Sequence, residues 1–347
     1  TSCNSPAAAR TSSVSPTAEL AGIRAESGDL ALTVAGTVGT LTSGNNGATN
    51  NIDFTTLGLT VGQFIHVGGL SSSEQFSAGA GYARVTAIAS GTLTLDKMSE
   101  ALATDPGAGE QVDLLFGRFI RNVAVDDPDF LETSYHFEGA YPNLGAGGVT
   151  EYEYPKGNYC NEVTFTVPLT DKATATFGFI GTDTEVPTAT RKSGAATARE
   201  PAKTAALNTS ADVGRLRVTQ VDESGLTTCF KAFSLTLTNN VTPEKCIGTL
   251  GASFMNTGNF QVSMDAEVLF TSGDVVAAIR NNTTVTMDLV LTNEDGAVAI
   301  DVPSMTLGGG GKSFPVNESV ILNTTGQAFK DATLNTSIGV SLFAIVP

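Results

Sequence analysis

Residues 258–303 read GNFQVSMDAEVLFTSGDVVAAIRNNTTVTMDLVLTNEDGAVAIDVP. The first run alternates. Phe260, Val262, Met264, Ala266 and Val268 fall on one side, and Gln261, Ser263, Asp265 and Glu267 on the other. A period of two is that of a strand with one buried face. Val275, Val276 and Ile279 then sit at helical spacing, with Thr271 and Asp274 spaced as a capping box. Alternation returns with Val285, Met287, Leu289 and Leu291. Asn293-Glu294-Asp295-Gly296 is turn chemistry, and Val298, Ile300 and Val302 continue as the return strand. Strand, short helix, strand, hairpin, strand predicts one helix packed on a largely antiparallel sheet.

Working outward, Phe230–Asn240 reads as a strand entering an Asn-Asn turn, and Val163–Leu169 with Ala173–Ile180 reads as a hairpin of the same sheet. Val316–Leu322 and Asn335–Ile345 read as closing strands. Further upstream, Leu30–Val34, Ile52–Phe54, Phe64–Val67, Tyr82–Ile88 and Leu93–Leu95 are short candidate strands separated by Gly and Ser clusters, the pattern of a small barrel or sandwich. The expected fold is mainly β: a β-sandwich or barrel with one short packed helix, plus a small inserted all-β domain. The expected boundaries are 1–27 for an N-terminal arm, 28–115 for the insert and 116–347 for the core, with a long basic loop at 187–207. A helical turn is expected near Thr17–Gly22.

The order of these segments resembles the tail tube proteins of long, flexible-tailed bacteriophages. The resemblance rests on the strand–helix–strand–NEDG unit, on FKAFSLTLTNN at 230–240, and on Ile247-Gly248 and Gly258-Asn259-Phe260. GRFIRN at 117–122 and TFGFIG at 176–181 extend it, so that it spans residues 116–347. Leu59–Ile65 followed by Tyr82–Val85 resembles the small β-domain inserted in some of these proteins, which is simplest to place on a tube exterior. The resemblance implies a structural virion protein with six copies per ring. The rings would stack into a tube that conducts double-stranded DNA during ejection. It also implies assembly in the host cytoplasm, other tail proteins as partners (terminator, tape measure, distal tail), and no membrane partner.

Composition fits that reading. The 347 residues carry 35 acidic and 19 basic side chains, a net charge of −16. Such a chain repels phosphate, whereas a DNA-gripping protein shows the opposite balance. An acidic channel lets DNA slide. The candidate lumen residues are the polar-face acids Asp265, Glu267, Asp288 and Asp301; an ordinary solvated outer face is the alternative for each. No run of about 18 apolar residues predicts a membrane helix, and the first twenty residues lack the apolar centre of a signal peptide.

The loop at 187–207, PTATRKSGAATAREPAKTAAL, holds Arg191, Lys192, Arg199 and Lys203 against one acid, Glu200. It reads either as a solvated excursion or as a clip onto the acidic surface of a copy in the next ring. The cysteines are Cys3, Cys160, Cys229 and Cys246, with no C-x-x-C pair. They read as incidental thiols, or as a disulfide, either between Cys229 and Cys246 or between subunits.

No catalytic residues, cofactor or metal site are expected. There is no Gly-x-Ser-x-Gly elbow, His-Glu-x-x-His or dinucleotide fingerprint, and His66 and His136 are the only histidines. Asp126-Asp127-Pro128-Asp129 with Glu132 lacks the spacing of a calcium loop. Gly308–Gly311 with Lys312-Ser313 lacks the first glycine of a P-loop, and Pro315 opposes the helix that must follow; it reads as a flexible hairpin loop. A bacterial surface or adhesin-type β-sandwich binding module is the alternative function, and would share the Thr- and Asn-rich strands.

Overall fold

The computed structural model describes residues 21–25, 28–44, 51–144, 147–194, 203–226, 229–314, 316–317 and 319–343. The N-terminal arm expected before residue 21, and Arg199, Pro315, Ala344 and Ile345, lie outside these residues.

The first unit among the described residues is a seven-stranded antiparallel sheet. Its strands are Ala21–Ala25 (β1), Leu30–Ala35 (β2), Val38–Ser43 (β3), Phe64–Val67 (β4), Gly81–Ile88 (β5), Thr92–Asp96 (β6) and Val112–Phe116 (β7), in the spatial order β1-β7-β4-β5-β6-β3-β2. Alternate residues such as Leu30, Leu41, Leu93, Leu95, Val85 and Leu114 point into a core of its own. Ala21–Ala25, read from the sequence as part of an arm, pairs along its length with β7. Ile52–Phe54 is not a strand. The Asp53 carboxylate accepts the Thr55 N–H and starts a 3-10 turn over Phe54–Thr56, with the Phe54 ring buried.

Gly117 links this sheet to Arg118–Arg121 (β8). Three short pieces follow: Gly139–Tyr141 (β9) pairs with Glu151–Glu153 (β10), and Pro155–Lys156 (β11) pairs with a later strand, Asp183–Thr184 (β14). Between β11 and β14 lies the hairpin Tyr159–Val167 (β12) and Thr174–Ile180 (β13). The remaining elements are Val213–Gln220 (β15), Phe230–Thr238 (β16), Thr242–Glu244 (β17), Phe254–Asn256 (β18), Gln261–Leu269 (β19), Asp274–Asn281 (α1), Thr284–Asn293 (β20), Gly296–Ser313 (β21), Ile321–Ala328 (β22) and Gly339–Phe343 (β23). The large sheet runs β13-β12-β16-β19-β22-β21-β20-β15, and β23 joins β21 to β8.

β21 makes this sheet fold over. Its first half pairs with β20 and its second half with β22, so one strand belongs to two layers. Phe233, Leu235, Val262, Met264 and Leu322 of one layer meet Val285, Met287, Leu289, Ile300 and Val302 of the other in the main core. α1 covers one end of that core with Val275 and Ala278. The 207–209 segment before β15 bonds to the start of β13, through Ala173 N–H to Leu207 O and Thr209 N–H to Asp171 O. The sheet therefore approaches closure at this end, while β13 itself, beyond Ala173, is paired on one side.

The 258–303 stretch folds as its pattern predicts, with two differences. The helix is not capped by Thr271. Gly273 is the N-cap, and Ser272 Oγ donates to Asp274 Oδ2 instead. β20 is buried on both faces, because the small sheet lies against it. Phe64, Val290, Ala297, Ala299 and Phe343 form a separate apolar seam between the sheets. Beyond the stretch, the four glycines are not a flexible loop but the end of β21. Gly309 and Gly310 take φ of 79° and 88°, and the register slips between Gly309 and Gly311, a bulge that residues with a Cβ would resist. Lys312 lies over the Phe270 ring, 4.1 Å from its centroid.

Candidate functional site

The outer face of β13, β12, β16, β19 and β22 is open to solvent, and register defines its rows. Thr174, Thr166, Ser234, Asp265 and Thr325 stand side by side across five strands. Thr176, Thr164, Thr236, Ser263 and Gln327 make the next row, and Gly178, Glu162, Thr238 and Gln261 the third. Glu267 stands beside Asn323. These rows hold hydroxyls, amides and the exposed carboxylates Glu162, Asp265 and Glu267, and no Lys or Arg. Glu162 is a residue that sequence reading did not single out. A bulge between Cys160 and Glu162 shifts its register, and no periodicity rule reveals that.

β13 bounds this face. It pairs only with β12, and beyond Ala173 its other side carries no strand among the described residues. Residues 174–178 are exposed on both faces, including Phe177. Among the described residues this leaves a seven-residue strand bonded on one side, and an edge of that kind is a template for another strand.

Asp288 and Asp301, expected with Asp265 and Glu267 on an open face, are buried at 1% and 2% exposure. They do point away from the main core, but the small sheet covers that side of β20 and β21. Arg84 of β5 reaches across: Nη1 donates to Asp301 Oδ2 at 2.8 Å, while Nε and Nη2 grip both oxygens of Asp96 at 2.8 and 2.5 Å. Lys97 Nζ donates to Asp301 Oδ1 at 2.5 Å and also bonds Thr286 Oγ1. Asp288 is paired with Arg215 and Arg217 of β15, and Arg217 lies 3.5 Å from Glu223, whose other oxygen accepts the Lys97 backbone N–H. Four cations thus meet four carboxylates in one buried seam.

Such a seam is costly to desolvate and unforgiving to break, so it specifies alignment more than it adds stability. Burial pushes the Asp301 carboxyl up, but Arg84 and Lys97 outweigh burial and hold it below the usual carboxylate range. Arg215 is pushed down by burial against the pull of Asp288. Its guanidinium also lies 5.6 Å from the Phe64 ring centroid, which offers a face to a cation otherwise short of acceptors.

The basic loop divides. Arg191 forks onto Glu138, with Nε 2.9 Å from both oxygens and Nη2 2.6 Å from Oε1. Those bonds hold the Glu138 carboxyl below its usual range. Lys192 pairs with Glu185 and lies over the Tyr154 ring. Both basic side chains are therefore turned onto their own subunit, and Lys203 is exposed. Cys229 and Cys246 are free and exposed, so they form no disulfide with each other within the subunit. They flank nine-residue β16 and its extension, which separates them by about 30 Å at ~3.3 Å per residue, far beyond disulfide reach. No group of His, Cys, Asp and Glu suited to a metal occurs among the described residues. In the acidic turn at 126–129, Asp127 Oδ1 instead accepts the Asp129 N–H.

A family model described as phage tail tube protein matches residues 84–328, from β5 to β22. The chain belongs to the phage tail tube protein family. Curated proteins offer no match. Membership makes the chain a structural component of a phage virion tail, one that assembles with copies of itself and with other tail proteins, and not an enzyme. A protein that assembles with copies of itself needs a surface that joins them, and the β13 edge has the form of one.

Proposed function

We propose that this tail tube protein forms six-membered rings in a long, flexible phage tail, with β13 of one copy continuing into the sheet of the next. The rings stack into a tube whose inner wall is the polar face of β13, β12, β16, β19 and β22, and double-stranded DNA passes along it during ejection. The observation that carries this reading is the open β13 edge bordering rows free of Lys and Arg. Edge-to-edge pairing around a ring removes the edge by closure. The wall offers phosphate no counter-charge to bind, so no counterions are released and DNA does not stick. Glu162, Asp265 and Glu267 are the lumen acids in this arrangement.

The small sheet is an insert on the tube exterior. It covers β20 and β21, on the layer opposite the polar face, which is the side a tube would turn outward. Assembly takes place in the host cytoplasm, with terminator, tape measure and distal tail proteins meeting the tube.

Negative-stain microscopy of the purified protein tests the reading: rings or tubes are expected, and isolated globules would favour a β-sandwich binding module. Proline at two adjacent positions, Thr176→Pro and Phe177→Pro, tests the edge. One of the two N–H groups points outward. That variant should keep its fold by circular dichroism and lose ring formation; normal rings from both variants would refute edge pairing.

A further inference from the structure

The two ends of β16 are complementary. At the Phe230 end lies a cleft of about 360 Å³ between β12, β15 and β16, lined by Val167, Leu169, Val213, Leu216 and Phe230. At about 30 Å³ per water it would hold roughly a dozen waters, which is room for more than one aliphatic side chain. Arg215 and Lys231 also line it, and no acid does.

Beyond the other end of β16 the chain runs on as the β17–β18 hairpin. Ile247 and Leu250 at its tip are 107% and 86% exposed, and Phe254 is 58% exposed. The tip is held in place, since Ala252 N–H donates to Thr182 O at 2.9 Å and Ser253 N–H to Glu244 O at 2.7 Å. Over residues 242–256 the only charges are Glu244 and Lys245, which cancel. A clustered apolar tip of this kind marks an interaction site.

We propose that the Ile247–Leu250 tip of one copy seats in the cleft of the next copy along the strand direction. This contact stacks the rings, and it rests on the ring-and-tube reading above. The occupant is a second copy because plug and socket lie beyond opposite ends of β16 in one subunit. A head-to-tail contact of that kind repeats without closing and generates a filament. Charge does not oppose it. Copies carrying −16 repel one another, and this contact brings a tip of no net charge to a socket without acids.

The two free cysteines report the contact directly. Cys229 adjoins Phe230 at the socket and Cys246 adjoins Ile247 on the plug, so residues remote within a subunit become neighbours between stacked copies. Assembled protein is treated with a short bismaleimide, run on a denaturing gel, and digested for mass spectrometry. A ladder of linked chains and a peptide joining Cys229 to Cys246 are expected, both lost in Cys229→Ser and in Cys246→Ser. The double variant Ile247→Asp, Leu250→Asp should give single rings that do not stack. Tubes with no 229–246 peptide, or tubes of ordinary length from the double variant, overturn the plug alone. Wild-type protein that forms neither rings nor tubes overturns the underlying reading, and the plug with it.

Discussion

Lys97 Nζ and Asp301 Oδ1 lie 2.5 Å apart although 204 residues separate them, one just after β6 of the small sheet and the other on β21 of the large one. Both side chains are nearly inaccessible, at 1% and 2% exposure. Removing the cation leaves a buried carboxylate short of a partner. Lys97→Met should therefore cost about 3–5 kcal/mol. The double variant Lys97→Met, Asp301→Asn should cost less than the sum of the singles. Urea unfolding of the four proteins measures this, and additive losses would show the pair to be uncoupled.

His66 gives the fold an acid-sensitive term. Burial depresses its pKa, against a bond between Nδ1 and Gly68 O that favours the charged ring. Its ring packs edge-on to Tyr82, which packs in turn on Phe343 of the large sheet. Below about pH 6.5 the unfolded chain takes up a proton that the folded one resists, so stability is full above that pH and falls as pH drops, by at most about 1.4 kcal/mol per unit. Urea midpoints at pH 8, 6 and 5 should show the slope, and His66→Gln should flatten it above the range where carboxylates titrate.

Gly117 sits where the two sheets join, and a Cβ there would lie 1.8 Å from the Leu342 carbonyl oxygen of β23. Backbone cannot yield as a side chain does. Gly117→Ala should force β8 and β23 apart and destabilise by about 1–3 kcal/mol, read as a lowered thermal midpoint. Gly91→Ala, with open space around it, is the control and should change little.

Reversing charge on the polar face tests its role. Asp265→Lys with Glu267→Lys alters exposed side chains that hold no core contact, so assembly should be unaffected. DNA ejection from phage carrying the pair should slow, and slow most at low salt, because lysines bind phosphate by counterion release. Ejection at the wild-type rate would remove these two acids from the wall.

Strand order around α1 was legible because alternation at 260–268 and 285–291 encodes which side chains meet the core. What alternation does not encode is the medium on the other side. Asp265 and Asp288 occupy equivalent outward positions, yet one meets solvent and the other a second sheet. A signal existed in Arg215 and Arg217, alternating with Leu216 and Val218 on a strand that sequence reading passed over. Two cations on one face with no adjacent acid point to partners elsewhere. β22 was placed too early because Thr324 and Gly326 occupy its inward positions, where hydropathy gives little contrast. The candidate edge at β13 could not be found at all from sequence, since being last in a sheet is a property of topology.

The seam of four cations and four carboxylates is electrically neutral, so the whole surplus of −16 resides outside it. Every copy added to an assembly brings that surplus with it, and the work of addition depends on dissolved ions. With a screening length of about 10 Å at 0.1 M salt and ~30 Å at 0.01 M, growth should be favoured by added electrolyte and stall in dilute buffer.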